Sequence, residues 1–208
     1  MELSVSILNA KDKKEMVNIL NNTDISYIHM DVMDGKFVSQ LSFPLKKIQE
    51  ISKISRKPLD IHLMVEDPSL IIEDLKELSN INNISIHIEI DKDINKMLSK
   101  IKECGVKRGL AIKPNTDINL LKPYLDNIDI ILIMTVEPGY GGQPFIESSV
   151  ERIKKIKELI EGYNILLEVD GGINDKTIKK ISLSDIAVVG SYITTSDNME
   201  ERINNLLV

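Results

Sequence analysis

Short apolar runs alternate with longer amphipathic ones eight times along this 208-residue chain. No other feature constrains its fold as much. The runs that read as strands are Ser4–Leu8, Tyr27–Asp31, Leu59–Val65, Ile84–Ile90, Lys107–Ile112, Ile128–Met134, Ile165–Asp170 and Ile186–Val189. Helical spacing or start signals predict helices over Asp12–Leu20, from Pro44 through Leu45, Ile48 and Ile51, and from Asp67-Pro68 to about Leu78. Further helices are predicted over Ile94–Glu103 (stopped by Gly105), Asp117–Leu125 and Ser148–Glu161. One capped by Asn174 or Asp175 should end near Ile181, and the last near Leu207. Strands joined through helices make a parallel sheet with right-handed crossovers. Eight such units predict an α/β fold, a closed (β/α)8 barrel of the TIM type, with residues 1–208 as a single domain. The rival, a doubly wound open sheet, needs a glycine-rich turn after its first strand, and Leu8-Asn9-Ala10 has no glycine.

A net charge of -6 and a pI near 5.2 disfavour nucleic acid or an anionic membrane as partner. They leave room for a small phosphorylated ligand, because a local site can oppose the global charge. The one cysteine, Cys104, excludes an internal disulfide and reads as a packed thiol late in a helix. Neither a leader-type N-terminus nor an apolar run near the roughly 20 residues that span a bilayer is visible, so the expected location is cytoplasmic.

Chemistry in such a barrel gathers where strands end. In Tyr27-Ile-His-Met-Asp-Val-Met33, His29 and Asp31 are two apart and share a strand face. The pair reads either as half a metal site or as a buried imidazole satisfied by a carboxylate. His62 lies late in the third strand and Asp170 ends the seventh. Two imidazoles and two carboxylates on one rim suit a divalent ion such as zinc, manganese, iron or cobalt. His87, the third histidine, is read as a rim residue behind that set. Gly139-Tyr140-Gly141-Gly142, Gly171-Gly172 and Gly190-Ser191 offer backbone amides to an anion on adjacent rim loops. Met33, Met64 and Met134 sit at strand ends, as core filler or as an apolar cap over a reacting centre.

Together these segments resemble the ribulose-phosphate 3-epimerase family. The resemblance runs through Ser4–Leu8, His29–Val38, Asp60–Val65, His87-Ile-Glu89, Gly109–Pro114, Met134–Gln143, Glu168–Gly172 and Val189–Ser191, over almost the whole chain. It implies a (β/α)8 barrel and one divalent metal ion held by His29, Asp31, His62 and Asp170. Asp31 and Asp170 would be the acid/base catalysts of C3 epimerisation, interconverting D-ribulose 5-phosphate and D-xylulose 5-phosphate through a metal-stabilised enediolate in carbohydrate metabolism. Ser6, His62, the Gly139–Gly142 loop, Asp170, Gly171, Gly172, Gly190 and Ser191 would hold the sugar phosphate, beneath the methionine cap. Alternatives are an epimerase of a hexulose phosphate such as D-allulose 6-phosphate, a barrel lyase or decarboxylase using Lys113, and a non-catalytic sugar-phosphate-binding barrel. Barrels of this kind commonly associate, and no stretch of sequence marks an interface. After Phe37-Val38 the chain departs from the family's usual Pro-Asn, reading Ser39-Gln40-Leu-Ser-Phe43.

Overall fold

The computed structural model describes residues 1–207. Eight strands pair in chain order and close on themselves: β1 (Glu2–Ser6), β2 (Tyr27–Met33), β3 (Leu59–Met64), β4 (Ile81–His87), β5 (Lys107–Ile112), β6 (Ile130–Met134), β7 (Leu166–Asp170) and β8 (Ile186–Val189). All pairings are parallel, and β1 closes the ring on β8, Val5 opposite Val189. The predicted α/β barrel is therefore the observed one. β2, β3 and β6 are buried along their whole length; β6 is an unbroken apolar run, while the alternating polar residues of β2 (His29, Asp31) and β3 (Asp60, His62) face the barrel interior rather than solvent.

The α-helices are α1 (Lys13–Leu20), α2 (Leu45–Ile54), α3 (Ser69–Leu75), α4 (Ile94–Glu103), α5 (Ser149–Leu159), α6 (Ser191–Thr194) and α7 (Met199–Asn204). Asp12 caps α1 by accepting from the amides of Lys14 and Glu15, and Asp93 caps α4 through Lys96. The main core lies between barrel and helices, where Leu20, Ile48, Ile72 and Ile156 meet the outward-facing residues of the strands.

Several boundaries differ from expectation, each for a local reason. β4 runs over Ile81–His87 rather than Ile84–Ile90, because Asn83 faces inward and donates to Asp60. β1 ends at Ser6, leaving Leu8 in the loop. The fifth crossover is a 3-10 helix over Ile118–Asn127, whose Pro123 has no N–H for an α-helical bond. The seventh keeps only a 3-10 turn, Ile178–Ile181, behind an Asn174–Thr177 hydrogen-bonded turn. The last helix is split into α6 and α7.

The barrel interior is polar on one side. Ser4 of β1 donates to Asp60 of β3 at 2.6 Å, past the intervening β2, so both side chains point inward. Leu132, Ala111 and Val188 line the other side.

Candidate active site

The C-terminal ends of β2, β3 and β7 bring His29, Asp31, His62 and Asp170 together. One ligand atom from each lies within 4.8 Å of the others. His29 Nε2 is 3.3 Å from Asp31 Oδ1, and His62 Nδ1 is 3.3 Å from the same oxygen and 3.8 Å from Asp170 Oδ2. His29 and His62 are fully buried, and Asp31 nearly so. His29 Nε2 has no hydrogen-bond partner, a buried unsatisfied nitrogen that a cation would complete in the neutral imidazole. Two imidazole nitrogens and two carboxylates, one nitrogen unspent, fit a divalent ion.

The charges are arranged against one another. Burial opposes ionisation of Asp31, but His29 and His62 overcome it and hold its carboxyl far below the usual range. Asp170, a few ångströms away, goes the other way: burial and the charge of Asp31 push it up to about 6. One carboxylate is thus kept ionised and its neighbour is poised to hold a proton. Ser6 donates to Asp31 Oδ2 at 2.7 Å, fixing the carboxylate from the β1 side.

A second layer lies underneath, and sequence reading missed it. His29 Nδ1 is 2.6 Å from Asp60 Oδ2, and Asn83 donates to Asp60 Oδ1 at 2.7 Å. Glu168 is buried beside them with neither oxygen hydrogen-bonded, and burial together with the charge of Asp60 pushes its pKa well up. On the other flank His62 Nε2 meets His87 Nε2 at 2.9 Å, and His87 Nδ1 meets Glu89 Oε2 at 2.9 Å.

A cavity of about 410 Å3 opens above the cluster. Of the residues singled out from sequence, Ser6, Asp31, Asp170, Met33, Met64, Met134, the Gly139–Gly142 loop, Gly171, Gly172, Gly190 and Ser191 all line it, while His29 and His62 lie behind its wall. The methionines form two patches: Met33 and Met64 pair across β2 and β3, and Met134 packs with Val136 and Val188. Asn9, Gln143, Asn174 and Tyr192 also line the cavity; Gln143 ends the Met134–Gln143 segment and Asn174 reads as a helix cap, but no motif singles out any of the four for the site. Gln143 holds its own loop by donating to the carbonyls of Glu137 and Tyr140 at 2.6 and 2.8 Å. Among the described residues no lysine or arginine lines the cavity. Lys113, the residue a lyase would need, instead places its Nζ over the Phe37 ring at 4.0 Å. The divergent loop folds back on β2: Ser42 donates to the Asp31 carbonyl and accepts from the Met33 amide, and Leu41 stands 78% exposed.

The chain is similar to several known proteins. The chain is 37% identical to the ribulose-phosphate 3-epimerase of Helicobacter pylori (strain J99) over 99% of its own length and 96% of that protein's. It is 40% identical to the protein of the same name from Buchnera aphidicola subsp. Baizongia pistaciae, over 98% and 92%. Among solved structures, the 3-hexulose-6-phosphate synthase of Salmonella typhimurium superposes with a TM-score of 0.72 at 18% identity, covering 99% of this chain and 96% of that one. KGPDC from Streptococcus mutans does so at 0.74 and 13%, covering 99% and 95%. At such identities they speak for the barrel alone. Residues 2–194 match the family described as "Ribulose-phosphate 3 epimerase family", and with its full-length relatives this establishes that the chain belongs to that family.

Proposed function

We propose that this protein epimerises a ketose phosphate at C3, interconverting D-ribulose 5-phosphate and D-xylulose 5-phosphate, with Asp31 and Asp170 as its two acid/base groups. The observation that carries the reading is the opposed pair of carboxyls at the cavity floor, Asp31 held ionised and Asp170 pushed up to about 6. Inverting a carbon next to a ketone requires one group to take the proton from one face and another to return a proton on the opposite face. Two carboxyls whose proton affinities are driven apart can divide these roles, the lower as base and the higher as acid.

His29, Asp31, His62 and Asp170 would hold one divalent ion, whose contribution when bound is to stabilise negative charge developing on the sugar's ketone oxygen. Carboxylates in such contact titrate as a linked pair. Ser6 holds Asp31 in place, and its position on the cavity wall lets it meet a substrate hydroxyl. With no cationic side chain at hand, the phosphate end rests on the glycine-rich backbone of Gly139–Gly142, Gly171-Gly172 and Gly190-Ser191. Met33, Met64 and Met134 limit the water that could reprotonate the intermediate from the wrong side.

The test is proton NMR of D-ribulose 5-phosphate in D2O with protein loaded with a divalent metal. Deuterium should enter at C3 as xylulose 5-phosphate forms, and Asp31→Asn should suppress both by about 10²–10⁴-fold. An inert pentulose phosphate beside rapid exchange in allulose 6-phosphate would move the substrate to a hexulose. Inertness of both would leave a binding barrel.

A further inference from the structure

His62 has two ring nitrogens, and only one can be offered to a metal. Its Nδ1 faces Asp31 and Asp170, while its Nε2 sits 2.9 Å from Nε2 of His87. Two imidazole nitrogens at that distance can bond only if one carries the proton and the other does not. For His62 Nδ1 to keep a free lone pair, the proton must be on its Nε2. His87 must then accept at Nε2 and carry its own proton on Nδ1. That proton needs an acceptor, and Glu89 Oε2 stands there at 2.9 Å. The other Glu89 oxygen accepts the Lys113 amide at 2.8 Å, so the carboxylate is pinned by the end of β5. Both histidines are fully buried, and the Phe37 ring covers His87 at 4.7 Å, so the contact between the two imidazoles is shielded from water.

We infer that Glu89 is a positioning residue: through His87 it fixes the tautomer of His62 and so decides which nitrogen the metal site receives. The inference rests on the metal reading proposed above. It gives the His87-Ile-Glu89 segment a part that the cavity and the four-residue cluster do not, since neither residue touches them as a ligand.

Glu89→Gln is the informative change because it keeps the shape. A glutamine has one oxygen where the carboxylate has two, so it cannot accept from both the Lys113 amide and His87 Nδ1. The apparent dissociation constant for zinc, read by competition with a chromophoric chelator, should weaken by about 10–100-fold in E89Q. Nitrogen-15 NMR of the zinc-loaded wild type should show His87 protonated on Nδ1 and His62 on Nε2, which is tractable because the chain has only three histidines. In E89Q the His87 pattern should change. In an H87F background, E89Q should add nothing further, because the effect travels through the imidazole. If E89Q still weakens zinc binding in H87F, Glu89 acts only by bracing β5, and the inference falls. It falls equally if E89Q leaves zinc affinity and both tautomers unchanged while the wild type binds zinc, an outcome that leaves the proposed function standing. A wild type that takes up no zinc overturns both this inference and the metal reading.

Discussion

His29 Nδ1 lies 2.6 Å from Asp60 Oδ2, with both residues buried inside the barrel. The contact places a proton between imidazole and carboxylate at Nδ1 and turns Nε2 toward Asp31, 3.3 Å from its Oδ1. Asp60 is itself held by Asn83 from the adjacent β4 and by Ser4 from β1, one strand beyond β2. A charged residue at mid-strand is thus the base on which one corner of the site stands.

Replacing Asp60 by alanine removes the acceptor for three buried donors at once: His29, Ser4 and Asn83. The expected loss of stability is about 3–5 kcal/mol. Urea unfolding followed by circular dichroism measures it, and a near-neutral result would contradict the placement of Asp60.

Asp170→Asn leaves a side chain of the same shape that cannot exchange a proton. Turnover of the pentulose phosphate should fall by about 10²–10⁴-fold. Thermal stability of the metal-free variant should not fall with it, since Asp170 is destabilised by ionising beside Asp31. Coupled assay and thermal melts separate the two effects.

The raised pKa of Asp170 also fixes the pH response of the metal-free protein. A carboxyl whose folded value is about 6 favours the fold when protonated, and that contribution fades as pH rises through about 6. A cation requires the ionised form, so it competes with the proton below that value. The gain in melting temperature on adding a divalent ion should therefore be small near pH 5 and grow towards pH 7, as a thermal-shift series at fixed ion concentration would show.

Gly171 has φ of +123°, and a Cβ there would sit 2.6 Å from Val136 Cγ2. Alanine should cost about 1–3 kcal/mol and crowd the cavity wall. Chemical denaturation gives the first number. A raised KM with kcat less affected would mark the second.

Sequence pattern sufficed for the barrel because each strand carries its own apolar run and each crossover its own helical spacing. His29, Asp31, His62 and Asp170 were legible for a related reason: titratable residues near the ends of apolar strands have few explanations in this fold. Asp60, Asn83, Ser4 and Glu168 were not, since a polar residue inside a strand reads locally as solvent-facing. Only closure of the ring turns them inward, where they face one another. The same blindness displaced β4, whose opening Asn82-Asn83 looks like a turn. The partnership of His87 with Glu89 needed the tight spacing of His62 against His87, which adjacent strands supply and no linear motif expresses.

The pairing of β1 with β8 has a consequence for how the protein comes into being. Ser6 ends the first strand of the barrel, and Gly190 follows the eighth, yet the two are neighbours, 3.6 Å from Ser6 Cβ to where a Cβ on Gly190 would stand. Strands β1 through β7 can pair one after another as the chain is made, but the cavity gains its Gly190-Ser191 wall only when β8 closes the seam on β1. A fragment of the barrel that stops short of β8 should therefore lack one wall of the cavity.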